Sequence, residues 1–331
     1  MRLAILSPDK SVAYSFYDNL TSLAKAAASS LGHELEVLTL TDLADRDGWA
    51  GQLIAQGRSL LSRVDRPRYL ILPNYMGIAE HLTPPLSAAG IEAFIVAERA
   101  RSGLPGVVGQ IVPDDVEAGA MLGRGLLSRA RAALGDRVLE AAILAGDHTS
   151  AGASRFLGWH NAAREDGRVH VVGFQYAVWR TSYARDQTIR FLREHPSLSL
   201  IWAASDAMAV GACEAAKAEG RRPGVDFFVG GIDFDRAGLA RVRDGEQSLS
   251  IGGHILDGAR AVVALHERDL GRRLAPEALE SPWLEVDATN AGAYLDFVSQ
   301  RRWKGMDFRR FTTDGGGRLE DLSLEALVNG P

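Results

Sequence analysis

The stretch LSLIWAASDAMAVGACEAAKAEG (198–220), followed by VDFFVGGIDFD (225–235) and GEQSLSIGGHILDGARAVVAL (245–265), decides the fold. Each segment opens with a continuous apolar run of strand length, and each run stops at small or polar residues. The stops are Ser205-Asp206, Asp233 and Gly252-Gly253-His254. Continuous rather than alternating apolar runs are the mark of strands buried on both faces, as in parallel sheets covered by helices. In such sheets ligands sit beyond the carboxyl ends of the strands, where these polar residues fall.

The same alternation runs outward in both directions. Upstream, strand-like runs are LAIL (3–6), LEVLTL (35–40), YLILP (69–73), FIVA (94–97), VVGQIV (107–112), AAILAG (141–146) and VHVVGF (169–174). They continue through LSLIWAAS (198–205), FFVGGID (227–233) and QSLSIG (247–252). Helical patterns separate them, and the first, FYDNLTSLAKAAASSLG, stops at Gly32 as a helix C-terminus commonly does. Strands alternating with helices predict right-handed crossovers and parallel sheets. Ten strands are many for one sheet, so two sheets of about five or six are expected. A break is expected at Val112-Pro113-Asp114-Asp115, where Pro113 ends a strand and the acidic pair starts a helix.

With 331 residues, 46% hydrophobic and 24% charged, the chain has the composition of a globular protein. At roughly 150 residues per domain, two domains are expected. A net charge of −5 argues against a phosphate-backbone binder, which carries a clustered basic face. The first strand begins at Leu3, leaving no room before it for a helix-turn-helix, so no nucleic-acid partner is expected. Cys213 is the only cysteine, which excludes an internal disulfide. It lies in the apolar run MAVGACEAAKA and reads as a small buried hydrophobe. No run reaches the roughly 18 apolar residues of a membrane span. Met1-Arg2 leads straight into a strand, so either the chain is cytoplasmic or a leader has been replaced by Met1.

No nucleotide, zinc-protease, hydrolase or dinucleotide fingerprint is present, and the eight histidines lack metal-ligand spacing. No catalytic residue, metal or cofactor is therefore expected, although a Rossmann-like enzyme assembled from distant strand ends stays open as an alternative.

Polar and aromatic side chains gather at the strand ends. The first run is followed by Ser7-Pro8-Asp9, then Tyr14, Phe16 and Tyr17, the third by Asn74-Tyr75, and the fourth by Glu98-Arg99. The second half adds Asp147-His148, Arg155, Trp159, Tyr176, Trp179, Ser205, Asp206, Asp233 and His254. Carboxylates, amides and guanidinium groups pair with hydroxyls while aromatic faces cover the apolar side of a ring, a mixture suited to a sugar or polyol. Arg155 and Trp159 share a helical face at i, i+4, with Ser154 as the expected cap. Phe16 or Tyr17 is expected to face Trp159 or Trp179. The competing roles are a surface ion pair for Arg155, helix capping for Ser205, Asp206 and Asp233, and core packing for the two tryptophans.

The segment 198–256 resembles the type I periplasmic binding proteins, the sugar-binding and lactose-repressor-like ligand-binding family. The likeness extends in pattern over about residues 1–290. AGDHTSAGASRFLGWHNAA (145–163) is similar to the family segment whose helix carries a ligand-binding arginine, here Arg155. The resemblance implies two Rossmann-like α/β lobes joined by a three-crossover hinge that closes around a ligand in the cleft. It maps the lobes to 1–112 plus 254–282 and to 113–253 plus 283–298, with 299–331 as a tail packed on the surface. It also implies a monomeric, periplasmic solute-binding protein serving the permease of an ABC importer. The GGH run at 252–254 looks more like the autoinducer-binding branch, which implies a membrane sensor kinase as the alternative partner. Replacing Arg155 or Asp233 by Ala is expected to weaken binding and leave the melting temperature nearly unchanged.

Overall fold

The computed structural model describes residues 1–8, 15–40, 48–272 and 279–330. Strands β1 (Arg2–Ser7), β2 (Glu34–Thr39), β3 (Tyr69–Pro73), β4 (Glu92–Val96) and β5 (Val107–Pro113) come first. After them run β6 (Leu139–Ala145), β7 (Val169–Tyr176), β8 (Leu198–Ala203), β9 (Phe228–Ile232) and β10 (Leu249–Gly252). Two three-residue strands close the series, β11 (Leu279–Ser281) and β12 (Leu284–Val286). They form two six-stranded sheets, in the orders β11-β5-β4-β3-β1-β2 and β12-β10-β9-β8-β6-β7. Every pairing is parallel except that of β12 with β10.

The chain divides into two compact units. The first comprises Met1–Pro113, His254–Pro282 and Ser299–Pro331, the second Asp114–Gly253 and Trp283–Val298. The expected α/β architecture of two parallel sheets is the one observed. The short β11 and β12 lie on either side of Pro282 and were not expected.

The second unit is built around β8, all six of whose residues are buried, between β6 and β9. Helices cover both faces, and Trp159, Phe191, Trp202 and Phe227 fill the core with aliphatic neighbours. Full burial of side chains of this size contributes about 1.5–3 kcal/mol each. Cys213 lies in this core; burial pushes its thiol up to about 12, and it stays an unreactive apolar residue.

In the first unit the chain after Ser299 is anchored by Trp303, Phe308, Leu322 and Leu327, all at most 1% exposed. Trp303 Nε1 donates to Ser22 Oγ (3.0 Å), and the Phe308 amide donates to Ser30 Oγ (2.8 Å), fixing this segment to the helix Phe16–Ser30.

Candidate functional site

Parallel register brings the carboxyl ends of β6, β8, β9 and β10 to one edge of the second sheet. Beyond β6 the helix Ser150–Asp166 begins, capped by Thr149, whose Oγ1 accepts from the Gly152 amide. Ser154 is therefore inside the helix rather than its cap. Arg155 stands in the second turn and is 5% exposed. Its Nε donates to Asp115 Oδ1 (2.8 Å), and its Nη1 donates to Asp233 Oδ1 (2.9 Å) and the Ala204 carbonyl (2.8 Å). Trp179 and Trp283 lie beside it, their ring centres 5.8 and 6.0 Å from the guanidinium carbon. Burial alone would lower the Arg155 pKa, but the charges of Asp233 and Asp115 and the hydrogen bonds to both outweigh it. The net shift is upward.

Trp179 reaches this position through a strained turn. Val178 and Trp179 both have positive φ, 45° and 60°, a conformation that costs of order 1–3 kcal/mol in non-glycine residues. The indole then lies directly on Gly146, where an added Cβ would come 2.2 Å from the ring. Gly146→Ala should therefore push the indole off the end of β6 and away from Arg155. The expected result is a shifted tryptophan emission and a loss of about 1–3 kcal/mol of stability; unchanged emission would show that Trp179 does not depend on this glycine.

Asp233 ends β9 on another strained loop, with φ 123° at Asp233 and 61° at Phe234. The Asp233 amide donates to the Ile251 carbonyl (2.8 Å), continuing the ladder toward β10. Phe234 is fully buried and packs on Tyr294, with ring centres 5.6 Å apart. Gly252 makes room for it, since a Cβ there would come 2.3 Å from the Phe234 ring.

Three of the residues taken from sequence are buried and engaged within the second unit. Asp206 is fully buried, accepting from Gln247 Nε2 (2.8 Å), Ser250 Oγ (2.8 Å) and the Asp235 amide (3.1 Å). Ser205, 2% exposed, caps the helix Asp206–Ala218 by accepting from the Met208 amide. Trp159 is 1% exposed and packs against Trp202 in the core, 6.2 Å between ring centres. The face it shares with Arg155 is turned onto the helix Asp115–Leu134, whose Gly123 meets Trp159 with its bare backbone.

In the first unit, Phe16 opens the helix Phe16–Ser30 behind the Ser15 cap and stacks on His254, 4.4 Å between centres at 23°. Tyr17 meets Phe16 edge-on at 4.9 Å. His254 is 2% exposed. Asn74, at the end of β3, is 3% exposed; its Oδ1 accepts from the Ala79 amide (2.9 Å) and its Nδ2 donates to the Arg99 carbonyl (3.2 Å). The Asn74 amide thus ties two strand-end loops together, and the Arg99 side chain is exposed. Asp9 and Tyr14 lie outside the described residues. His148 and Tyr176 stand together in the second unit, ring centres 4.2 Å apart.

Sequence reasoning took Asp115 only as a helix start and position 283 only as a boundary of the second lobe, and so missed two of the neighbours of Arg155. The available signal for Asp115 was its place behind Asp114, which alone serves as the cap by accepting from the Glu117 amide. That leaves the second carboxyl for another task. Among the described residues the group with metal-like donors is His266, Glu267 and Asp314 in the first unit. Arg272 already lies 2.9 Å from Glu267 and 3.8 Å from Asp314 there. None of the described helices is long and apolar enough to cross a membrane.

A family model described as a periplasmic binding protein domain matches residues 86–265. No curated protein matches the chain. Among solved structures, a periplasmic sugar-binding protein from Pseudomonas fluorescens is 28% identical with a TM-score of 0.86, covering 96% of this chain and 95% of that one. An ABC transporter periplasmic solute-binding protein from Actinobacillus succinogenes 130z, with bound D-allose, is 21% identical with a TM-score of 0.76. That likeness covers 88% of this chain and 99% of that one. The periplasmic component of the arabinose ABC transporter from Shewanella sp. ANA-3, bound to L-arabinofuranose, is 17% identical at a TM-score of 0.77, covering 91% and 96%. The last two share the fold. With the matched region spanning more than half of its length, the chain belongs to the periplasmic binding protein domain family and is a solute-binding protein, not an enzyme.

Proposed function

We propose that this chain captures an uncharged sugar or polyol in the periplasm and delivers it, as a monomer, to the permease of an ABC importer. The observation that carries the ligand class is the set around Arg155. One guanidinium is held between two carboxyl groups and flanked by two indoles. Sugar hydroxyls donate to such carboxyls and accept from the guanidinium, while indole faces cover C–H surfaces. An anionic ligand would meet a guanidinium already matched by Asp115 and Asp233. The sugar-binding protein from P. fluorescens and the sugar-bound neighbours support the same class. The proposed contacts are Arg155, Trp179 and Asp233 of the second unit.

The test is native mass spectrometry of protein purified without refolding, followed by calorimetry with D-allose, L-arabinose, glycerol, a uronic acid and a sugar phosphate. A neutral sugar or polyol should bind and perturb tryptophan emission, and the anions should not. Asp233→Asn should weaken that binding roughly ten- to several-hundredfold, the effect of losing one charged partner to a desolvated hydroxyl. Binding of the anions alone would overturn the assignment.

A further inference from the structure

The loop that carries Asp233 to Arg155 is held from behind by one carboxyl group in a shaped socket. Asp206 begins the helix Asp206–Ala218, yet its side chain is fully buried and turned toward β9 and β10 rather than outward. One oxygen accepts from Gln247 Nε2 and Ser250 Oγ, and the other accepts from Ser250 Oγ and the Asp235 amide. Two glycines make the room. A Cβ at Gly231 on β9 would come 2.5 Å from Asp206 Oδ1, and one at Gly238 in the helix Arg236–Arg243 would come 2.6 Å from its Cγ. Asp235 directly follows the two positive-φ residues Asp233 and Phe234, so the bond to its amide closes the strained part of the loop.

We propose that Asp206 is a positioning residue: it fixes the Asp233 carboxyl against Arg155 by pinning the loop that follows, and the gain or loss of a proton at Asp206 is transmitted to that contact. This deepens the reading of Arg155 and Asp233 as ligand contacts and rests on it for its consequence in binding. Among the described residues, Asp233 and the Asp235 amide meet Asp206 from the loop, Gln247 and the Ser250 hydroxyl from the β10 side, and Cys213 lies near it on its own helix. Asp233 is the leading charged neighbour and already faces Arg155. Burial, then the charge of Asp233, pushes the Asp206 carboxyl up to about 7 from 3.8, against the pull of the bonds from Ser250, Gln247 and the Asp235 amide. An acid raised in this way favours the folded state fully below its unfolded value. That contribution is lost as pH rises from about 4 through about 7.

The experiment needs no ligand, so its failure is distinct from failure of the sugar assignment. Isotope-labelled full-length protein is titrated from about pH 5.5 to about 8.5 while NMR follows the Arg155 Nε–H, the Trp179 indole N–H and the Asp235 amide. The wild type should show one common step near neutrality at all three. Asp206→Asn keeps an acceptor for the Asp235 amide and should abolish the step while leaving the spectrum well dispersed. Its midpoint of chemical denaturation should also lose the fall that the wild type shows between pH 5 and pH 8. Ser250→Ala removes a bond that favours the charged form and should move the step to higher pH. Asp206→Ala should reduce hydrogen-exchange protection at the Asp235 amide by tenfold or more, with recovery in the Asn variant; should the Ala variant fail to fold, the Asn variant decides. A step that persists in Asp206→Asn would assign the titration to another group and overturn the proposal. So would a wild type in which Arg155 and Trp179 do not titrate.

Discussion

Arg155→Ala is expected to lower the stability of the second unit by about 3–5 kcal/mol, the cost of leaving buried charge without its partner. The guanidinium is 5% exposed and bridges two carboxyl groups and a carbonyl drawn from the ends of three different elements. Removing it strands Asp115, 8% exposed, against Asp233 with no cation between them. For a unit of this size that loss corresponds to a fall of roughly 10 °C in melting temperature. The burial of Arg155 and its three bonds replace the sequence-based expectation of a nearly unchanged melting temperature, which treated Arg155 as a ligand contact alone. Arg155→Lys restores the charge but not the fork that spans all three acceptors, and should recover only part of the loss. Asp233, with a side chain 13% exposed, is the milder site; its replacement by Ala should cost about 1–3 kcal/mol. Scanning calorimetry of the three variants checks the order. If Arg155→Ala melts with the wild type, the cluster does not hold the second unit together.

The contrast shows where sequence reading succeeded and where it stopped. Strands buried on both faces write themselves as continuous apolar runs, and YLILP coincides with β3 residue for residue. β11 and β12 escaped because three residues are too few to show a period, and each exists only through its pairing with β5 or β10. The strand-end rule led to Arg155, Trp179 and Asp233, which the structure brings together. It could not say which way a side chain turns once there. Asp206 sits one residue past the cap and turns into the protein because Gly231 and Gly238 leave a socket behind it. Trp159 lies on the predicted face, but that face packs onto a neighbouring helix. Asp115 and Trp283 are joined to Arg155 only by the folded chain, 40 residues away in the case of Asp115, and no local pattern announces such a contact.

Gly119→Ala is expected to cost about 3 kcal/mol, the upper end for an overpacked core position, although alanine in a helix interior is ordinarily favoured over glycine by about 1 kcal/mol. Gly119 lies inside the helix Asp115–Leu134, which crosses the helix Ser150–Asp166 with the two backbones in contact. A Cβ at Gly119 would stand 1.9 Å from the Arg155 carbonyl oxygen, and one at Gly158 would stand 2.0 Å from the Val116 carbonyl oxygen. Neither obstacle is the end of a flexible side chain. Both are backbone, so the helices must separate. Separation moves Arg155 away from Asp115, which belongs to the opposite helix, and strains the bond that Trp202 Nε1 donates to the Gly119 carbonyl (3.3 Å). Gly158→Ala should therefore cost about as much, and the double variant should cost less than the sum, because one separation accommodates both methyl groups. Urea denaturation of the two single variants and the double variant measures this coupling. Costs that simply add would mean that the glycines are relieved by independent local shifts. A stabilised Gly119→Ala would mean that helix propensity outweighs the crossing, and that Arg155 does not owe its position to it.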